Sequence, residues 1–207
     1  DYVDLYQIHR WDYDTLIDET LTALDELVRE NRVRHLGASN MWTWQFAKCL
    51  WICDKLDLHK IETMQTHYNL CYREEEREMI PFCKDQKISV FAYNPVAKGF
   101  LTGKYQRDLG GQTTRYKTDP GFKPKFFKNQ DFDVLEKIIE IANEKDVKPV
   151  QIALAWFQNK NITLPIIGVT KKIHVEEAVE SLDIKLKEDD MKRLEEVYKI
   201  QNVNHLD

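Results

Sequence analysis

The chain has 207 residues, 43% of them hydrophobic and 31% charged, which suits one well-buried domain and excludes a disordered segment. A net charge of -5 supplies no footprint for nucleic acid. No apolar run approaches the roughly 20 residues of a spanning helix, and no basic-then-apolar leader opens the chain, so a cytoplasmic location with no membrane partner is expected.

The first element in chain order is a strand over residues 1–8 (DYVDLYQI), which alternates apolar and polar side chains. The strand starts at the first residue without an initiator Met, so the chain reads as beginning mid-fold. Residues 15–30 then space Leu16, Ile17, Thr20, Leu21, Leu24, Leu27 and Val28 as an amphipathic helix. A short strand over 33–36 runs into Gly37-Ala38-Ser39-Asn40. The unit repeats: helix 43–56, strand 61–68, helix 73–84, strand 89–93. Each β-plus-α unit takes about 27 to 30 residues, as a right-handed parallel crossover requires. An irregular stretch over 94–128, rich in Gly, Lys and Pro, is a functional-loop candidate. Helix 132–145, helix 150–159, strand 162–167 (ITLPII), helix 173–182 and helix 188–198 complete the order.

Five parallel strands fit an open doubly wound sheet or part of a (β/α)8 barrel. Two features favour the barrel. The turn after the first strand is His9-Arg10-Trp11-Asp12, without the glycines of a nucleotide-binding turn. Every strand also ends in polar or special residues: Gln7 and His9, Ser39 and Asn40, Gln65 and His67, Tyr93 and Asn94, Gly168 and Thr170. In a parallel barrel such ends gather on one face. Five strands cannot close eight, so an incomplete barrel of about strands 4 to 8 is expected, a single partial domain over 1–207.

Several side chains carry chemistry. His9, after the apolar strand residues, is placed to hydrogen-bond a substrate carbonyl, although a strand-end histidine taken alone is more often structural. Ser39, Asn40 and Gln65 offer the donors and acceptors that a carboxamide needs, and Ser39 or Asn40 can equally cap the next helix. Tyr93 can lie flat on an aromatic ring. Gly99-Phe100-Leu101-Thr102-Gly103-Lys104 lacks Walker spacing, but its backbone N–H groups and Lys104 suit a phosphate as well as a plain surface turn. Thr170, Lys171 and Lys172, ahead of a helix, suit an anion or form a solvated basic turn. The run Glu74-Glu75-Glu76-Arg77-Glu78 reads as a solvated helix start, and Trp42, Trp44, Phe46 and Trp51 as helix packing. Cys49, Cys53, Cys71 and Cys83 form no C-x-x-C pair and read as reduced thiols, so no metal site is expected.

Together, LYQIHRWD, VRHLGASN, MQTHYN, FAYNPVAKGFLTGKY and PIIGVTKKIHVEEAVE, in this order and at these intervals, resemble the aldo-keto reductases, in particular the aryl-alcohol-dehydrogenase-like and potassium-channel β-subunit-like branch. The resemblance covers nearly the whole chain and implies a barrel of that type. It implies that His9 orients the substrate carbonyl beside a tyrosine acid, and that Ser39, Asn40 and Gln65 grip the nicotinamide carboxamide while Tyr93 stacks on the ring. Asn94, Val96, Gly99 and Lys104 match the loop around the pyrophosphate. Gly168, Thr170, Lys171, His174 and Glu177 match the segment that holds the adenosine and its 2'-phosphate, which favours NADPH/NADP+ over NADH.

The family's catalytic Asp, Tyr and Lys precede the first strand here and have no counterpart in this sequence. Ala178 stands where many relatives have Asn, and His174 where Gln or Arg is common. The expected function is NADPH-dependent reduction of aldehydes and ketones to alcohols, with a small-molecule carbonyl or alcohol as partner and this chain inactive alone. The alternative is a non-catalytic NADPH-binding regulatory subunit. Substrate identity and oligomeric state are not legible.

Overall fold

The computed structural model describes residues 1–107, 117–118, 128–161 and 163–201. Much of the expected loop over 94–128, and Ile162 of the expected last strand, therefore lie outside the described residues. The chain divides into two compact units: one holds residues 1–66 and 75–91 of these, the other 67–74 and 92–201.

In the first unit, β1 (Val3–Gln7), β2 (Val33–Ser39), β3 (Ile61–His67) and β4 (Ser89–Tyr93) follow one another across the sheet in chain order. β1 pairs parallel with β2, placing Gln7 opposite Gly37. β2 pairs parallel with β3, placing Gly37 opposite Thr63 and Ser39 opposite Gln65. The crossovers are α1 (Ile17–Arg29), α2 (Thr43–Lys55) and α3 (Met79–Asp85). β2 extends beyond the expected strand 33–36 because Leu36, Gly37, Ala38 and Ser39 are all buried, as in a strand covered on both faces. Leu21, Leu24, Leu36, Phe46, Ile61 and Met64 fill the core, and Phe46 meets Phe82 edge-on at 5.9 Å. Trp44 and Trp51 remain exposed, so of the expected packing cluster it is Phe46 that enters the core.

α1 is tied down by one buried carboxylate. Asp25 accepts from the Arg29 guanidinium, from the His59 backbone N–H at 2.8 Å and from the His59 ring at 2.7 Å. Burial alone would raise this carboxyl; the donors from His59 and Arg29 outweigh it and hold it at about 2. Burial pushes the thiols of Cys49 and Cys83 up to about 12 and that of Cys53 to about 11, so all three pack as small apolar groups.

The second unit contains the ends of β3 and β4, with β5 (Thr163–Pro165) beside β4. The Ile166 N–H donates to the Ala92 carbonyl at 2.9 Å. Its helices are α4 (Asn129–Glu144), α5 (Pro149–Ala155), α6 (Lys172–Glu180) and α7 (Glu188–Glu195). Tyr68, Phe100, Phe132, Ile138, Trp156 and Leu194 form the core. Tyr68 lies 5.0 Å from Trp156, and Phe100 lies 5.2 Å from Phe132.

The helix expected over 73–84 is replaced by a 3-10 turn (Glu74–Glu76) and the short α3. The acidic run is correspondingly not a solvated helix start, because Glu74 and Glu75 are buried. Glu74 Oε1 accepts from the Tyr198 hydroxyl and from the Gln201 N–H, both at 2.6 Å. Arg73 pairs with Glu195 at 2.9 Å. These bonds fix the stretch after α7 in an irregular conformation, which ends that helix at Glu195 rather than at residue 198.

Four helices start by the same device. The N–H groups of Trp42, Lys128, Lys148 and Lys187 donate to Gln45, Asp131, Gln151 and Asp190, each three residues on. The residue ahead of each helix has no suitable capping oxygen of its own, so the reciprocal half of a capping box closes the turn. In α4 this puts Asp131 at 1% exposure, and burial pushes its carboxyl up to about 6, past the opposing bond from Lys128.

A carboxyl raised in the folded state contributes stability that is complete below its unfolded value, about 4, and is lost as the pH rises through about 6. Asp131→Asn keeps the capping oxygen and removes the charge. Urea melts should therefore show the variant gaining on the natural chain between pH 4 and pH 7. Parallel stability curves over that range would refute the assignment.

Candidate functional site

In the first unit the polar strand ends form one connected group. Gln7 Nε2 donates to the Ala38 carbonyl at 2.9 Å, and Gln65 Nε2 donates to Gln7 Oε1 at 3.3 Å. Asn40 sits in the left-handed region at φ 48°, where Asn is tolerated. Its Nδ2 donates to the His9 carbonyl at 3.0 Å and to Ser39 Oγ at 2.9 Å. Its backbone N–H donates to the Gln65 carbonyl at 3.3 Å.

Neither Ser39 nor Asn40 caps α2; Gln45 closes that turn. Both therefore stay with the strand-end group. Their consequence is polarity. The Ser39 hydroxyl, buried at 2% exposure, accepts from Asn40 and retains its own proton to donate. Gln65 turns its NH2 toward Gln7, donating one N–H to it, and presents Oε1 on the other side as an acceptor. One donor and one acceptor are what a primary carboxamide needs. His9 is exposed just beyond β1, with its main chain held by Asn40.

In the second unit Tyr93, half-buried at the end of β4, stacks on the buried ring of His67 at 5.1 Å and 15°. His67 stacks in turn on Tyr72 at 4.6 Å and 17°. Asn69 Nδ2 lies 3.2 Å from His67 Nε2 and donates to the Asn94 carbonyl at 3.0 Å. Tyr93 is thus a rigid, backed aromatic face.

The loop after β4 turns through left-handed φ at Asn94, Ala97, Lys98 and Gly99. The Gly99 N–H is committed to the Val96 carbonyl at 2.8 Å. Gly99 therefore contributes open space rather than a donor, with φ 93° and nothing within 4 Å of where a Cβ would stand. Lys104 is exposed beyond it.

Gly168 and Thr170 are exposed ahead of α6, and Lys171 occupies its N-cap position. The His174 ring folds back to the Thr170 N–H at 3.5 Å. Glu177 pairs with Lys148 at 2.6 Å and Lys172 with Glu176 at 3.2 Å. Among the described residues Lys171 is left without a carboxylate partner.

Sequence reasoning noted Gln7 and His67 only as polar strand ends. The signal in the sequence for Gln7 is that it is the last polar residue of the alternating strand pattern, two residues before His9. For His67 it was the aromatic run His67, Tyr68, Tyr72, although stacking between residues on separate strands leaves no local mark.

Comparison with known proteins gives a family model, the aldo/keto reductase family, matching residues 1–199. A putative aryl-alcohol dehydrogenase, AAD16, of Saccharomyces cerevisiae is 36% identical over 97% of this chain and 58% of its own length. The versiconal hemiacetal acetate reductase of Aspergillus parasiticus is 35% identical over 95% of this chain and 57% of its own. The crystal structure of a thermostable aldo-keto reductase, Tm1743, with the inhibitor epalrestat superposes with a TM-score of 0.74 at 26% identity, over 95% of this chain and 60% of that one. The fold is the TIM-barrel-like α/β fold with a parallel sheet. The chain spans a little under three fifths of the length of these curated relatives.

The close approach at Gly37 makes a direct prediction. A Cβ there would stand 2.4 Å from Thr63 Oγ1 and 3.0 Å from Gln7 Cγ. Gly37→Ala should cost about 1–3 kcal/mol in denaturant unfolding, and adding Thr63→Ala should recover most of it. An alanine variant as stable as the natural chain would contradict this packing.

Proposed function

The chain belongs to the aldo/keto reductase family, and on that premise we propose that it carries the cofactor-gripping part of an NADPH-dependent oxidoreductase that reduces aldehydes or ketones to alcohols. The observation that carries the reading is the fixed polarity of Ser39 and Gln65, a donor beside an acceptor. When bound, the dihydronicotinamide supplies the hydride for the carbonyl carbon.

The chain's own residues bind and orient. Ser39 donates to the carboxamide oxygen, Gln65 accepts from its nitrogen, and Asn40 holds the turn that places both. Tyr93, backed by His67, gives the flat face that the resemblance assigns to the nicotinamide ring. Asn94, Val96, Gly99 and Lys104 serve the pyrophosphate; Gly168, Thr170, Lys171, His174 and Glu177 serve the adenosine end. Lys171 stands at the positive end of α6 with no carboxylate partner among the described residues, the setting for a 2'-phosphate. His9 hydrogen-bonds the substrate oxygen.

The acid that delivers the proton to that oxygen is, by the resemblance, a tyrosine, and none of the residues named here supplies it. The names of the matched relatives favour a reductase over a regulatory subunit. No helix among the described residues is long and apolar enough to cross a membrane, and a cytoplasmic location belongs to the same reading.

Titration of the purified chain with NADPH and NADH, read by ligand fluorescence and melting temperature, tests the proposal. We expect micromolar binding of NADPH, with NADH at least about tenfold weaker. At a hundredfold excess over Kd the gain in stability should be about 2.7 kcal/mol. Absence of binding by both cofactors would refute it. Lys171→Glu should bring NADPH affinity down to that of NADH, since one charge-assisted phosphate contact is worth about tenfold; an unchanged preference would remove Lys171 from the phosphate site.

A further inference from the structure

We propose that Gln7 is a positioning residue: it determines which end of the Gln65 amide faces the cofactor. The assignment deepens the cofactor reading above and rests on it.

The argument starts from an atom with no freedom. The Ala38 carbonyl oxygen is only an acceptor, so the end of Gln7 that meets it at 2.9 Å must be Nε2. That turns Gln7 Oε1 the other way, where it stands 3.3 Å from the Gln65 amide. At this length the bond is a weak one. Its sign is what matters. Were Gln65 turned over, two amide oxygens would face each other, so Nε2 of Gln65 is kept toward Gln7 and Oε1 is presented on its other side. Among the described residues this Oε1 accepts no hydrogen bond.

The reach is possible because of a glycine. Gln7 lies on β1 and Gln65 on β3, with β2 between them, and Gly37 is the β2 residue opposite Gln7. A Cβ on Gly37 would approach Gln7 Cγ to 3.0 Å and Gln7 Cβ to 3.3 Å. With hydrogen in its place, the Gln7 side chain crosses β2 and meets β3. The backbone carbonyl of Ala38 thereby fixes a side chain on the neighbouring strand β3, through one intermediate amide that reaches over from β1.

The consequence is selectivity for a ligand N–H at Gln65. A cofactor carboxamide has one; the 3-acetylpyridine analogue of NADP+ carries a methyl in that place and has none. Calorimetric Kd values for NADP+ and for this analogue, measured on the natural chain, Gln7→Met and Gln65→Leu, separate positioning from packing. The natural chain should prefer NADP+ about tenfold. In Gln7→Met the amide of Gln65 is free to turn, and the preference should fall to within about twofold of that in Gln65→Leu.

If Gln7→Met does not fold, Gln7→Leu serves the same comparison. A Gln7 variant that weakens both ligands equally, with their ratio kept, would overturn the assignment and leave Gln7 a packing residue. So would a natural chain that binds NADP+ without preferring it to the analogue. Failure of the natural chain to bind either ligand would instead overturn the cofactor reading itself, and this assignment with it.

Discussion

The polar end of the first unit depends on a missing side chain. Gly37 stands between Gln7 on one side and Thr63 on the other, and a methyl group there would overlap the Thr63 hydroxyl at 2.4 Å. Backbone hydrogen bonds fix the spacing of β1, β2 and β3; what this hydrogen leaves open is the space over β2 that the side chains of Gln7 and Thr63 approach from either side. The amide chain from Ala38 through Gln7 to Gln65 follows, and with it the polarity of the group at these strand ends. Both amides are half-buried, so an amide turned the wrong way sets like atoms against each other and leaves a partly desolvated donor or acceptor unmatched.

Much of the fold was legible because it rests on periodicity and repetition. The alternation of strand and helix gave the parallel order, and β4 falls on the expected residues 89–93. The departures share a cause: side chains that bind backbone at a distance. Helices α4 and α5 start earlier than their apolar pattern, because Asp131 and Gln151 reach back to close turns whose preceding residue is a lysine. A search for Ser, Thr, Asp or Asn at the cap misses them. The helix expected over 73–84 is broken because Glu74 is bonded to Tyr198 and Gln201, more than a hundred residues away. Local propensity cannot foresee that partner, and charge alone made those glutamates look solvated.

The candidate site was legible in its residues and less so in its wiring. Ser39, Asn40 and Gln65 are strand-end polar groups in the sequence and one hydrogen-bonded group in the structure. The sequence also allowed Ser39 and Asn40 to be helix caps, and only the Gln45 side chain, taking that duty for α2, decides between the two. Tyr93 as an aromatic platform was readable; the His67 ring behind it was not, since its stacking partner is set by strand order rather than spacing. At Gly99 the sequence suggested a free N–H, whereas the structure spends that N–H within the turn.

The charges around α6 show why a count of lysines would mislead. Lys171 and Lys172 are adjacent, yet Lys172 is matched by Glu176 one turn on, at 3.2 Å. Glu177 would repel a phosphate at this helix start, but the Lys148 ammonium lies 2.6 Å away and offsets it. Glu177 thereby stops opposing an anion without itself touching one. The remaining cation is Lys171, at the N-cap position, where the helix dipole adds to its field and its exposure leaves it open to a ligand. What the sequence offered as an anion site or a solvated basic turn becomes, by pairing and subtraction among the described residues, one lysine charge in one place at the positive end of α6.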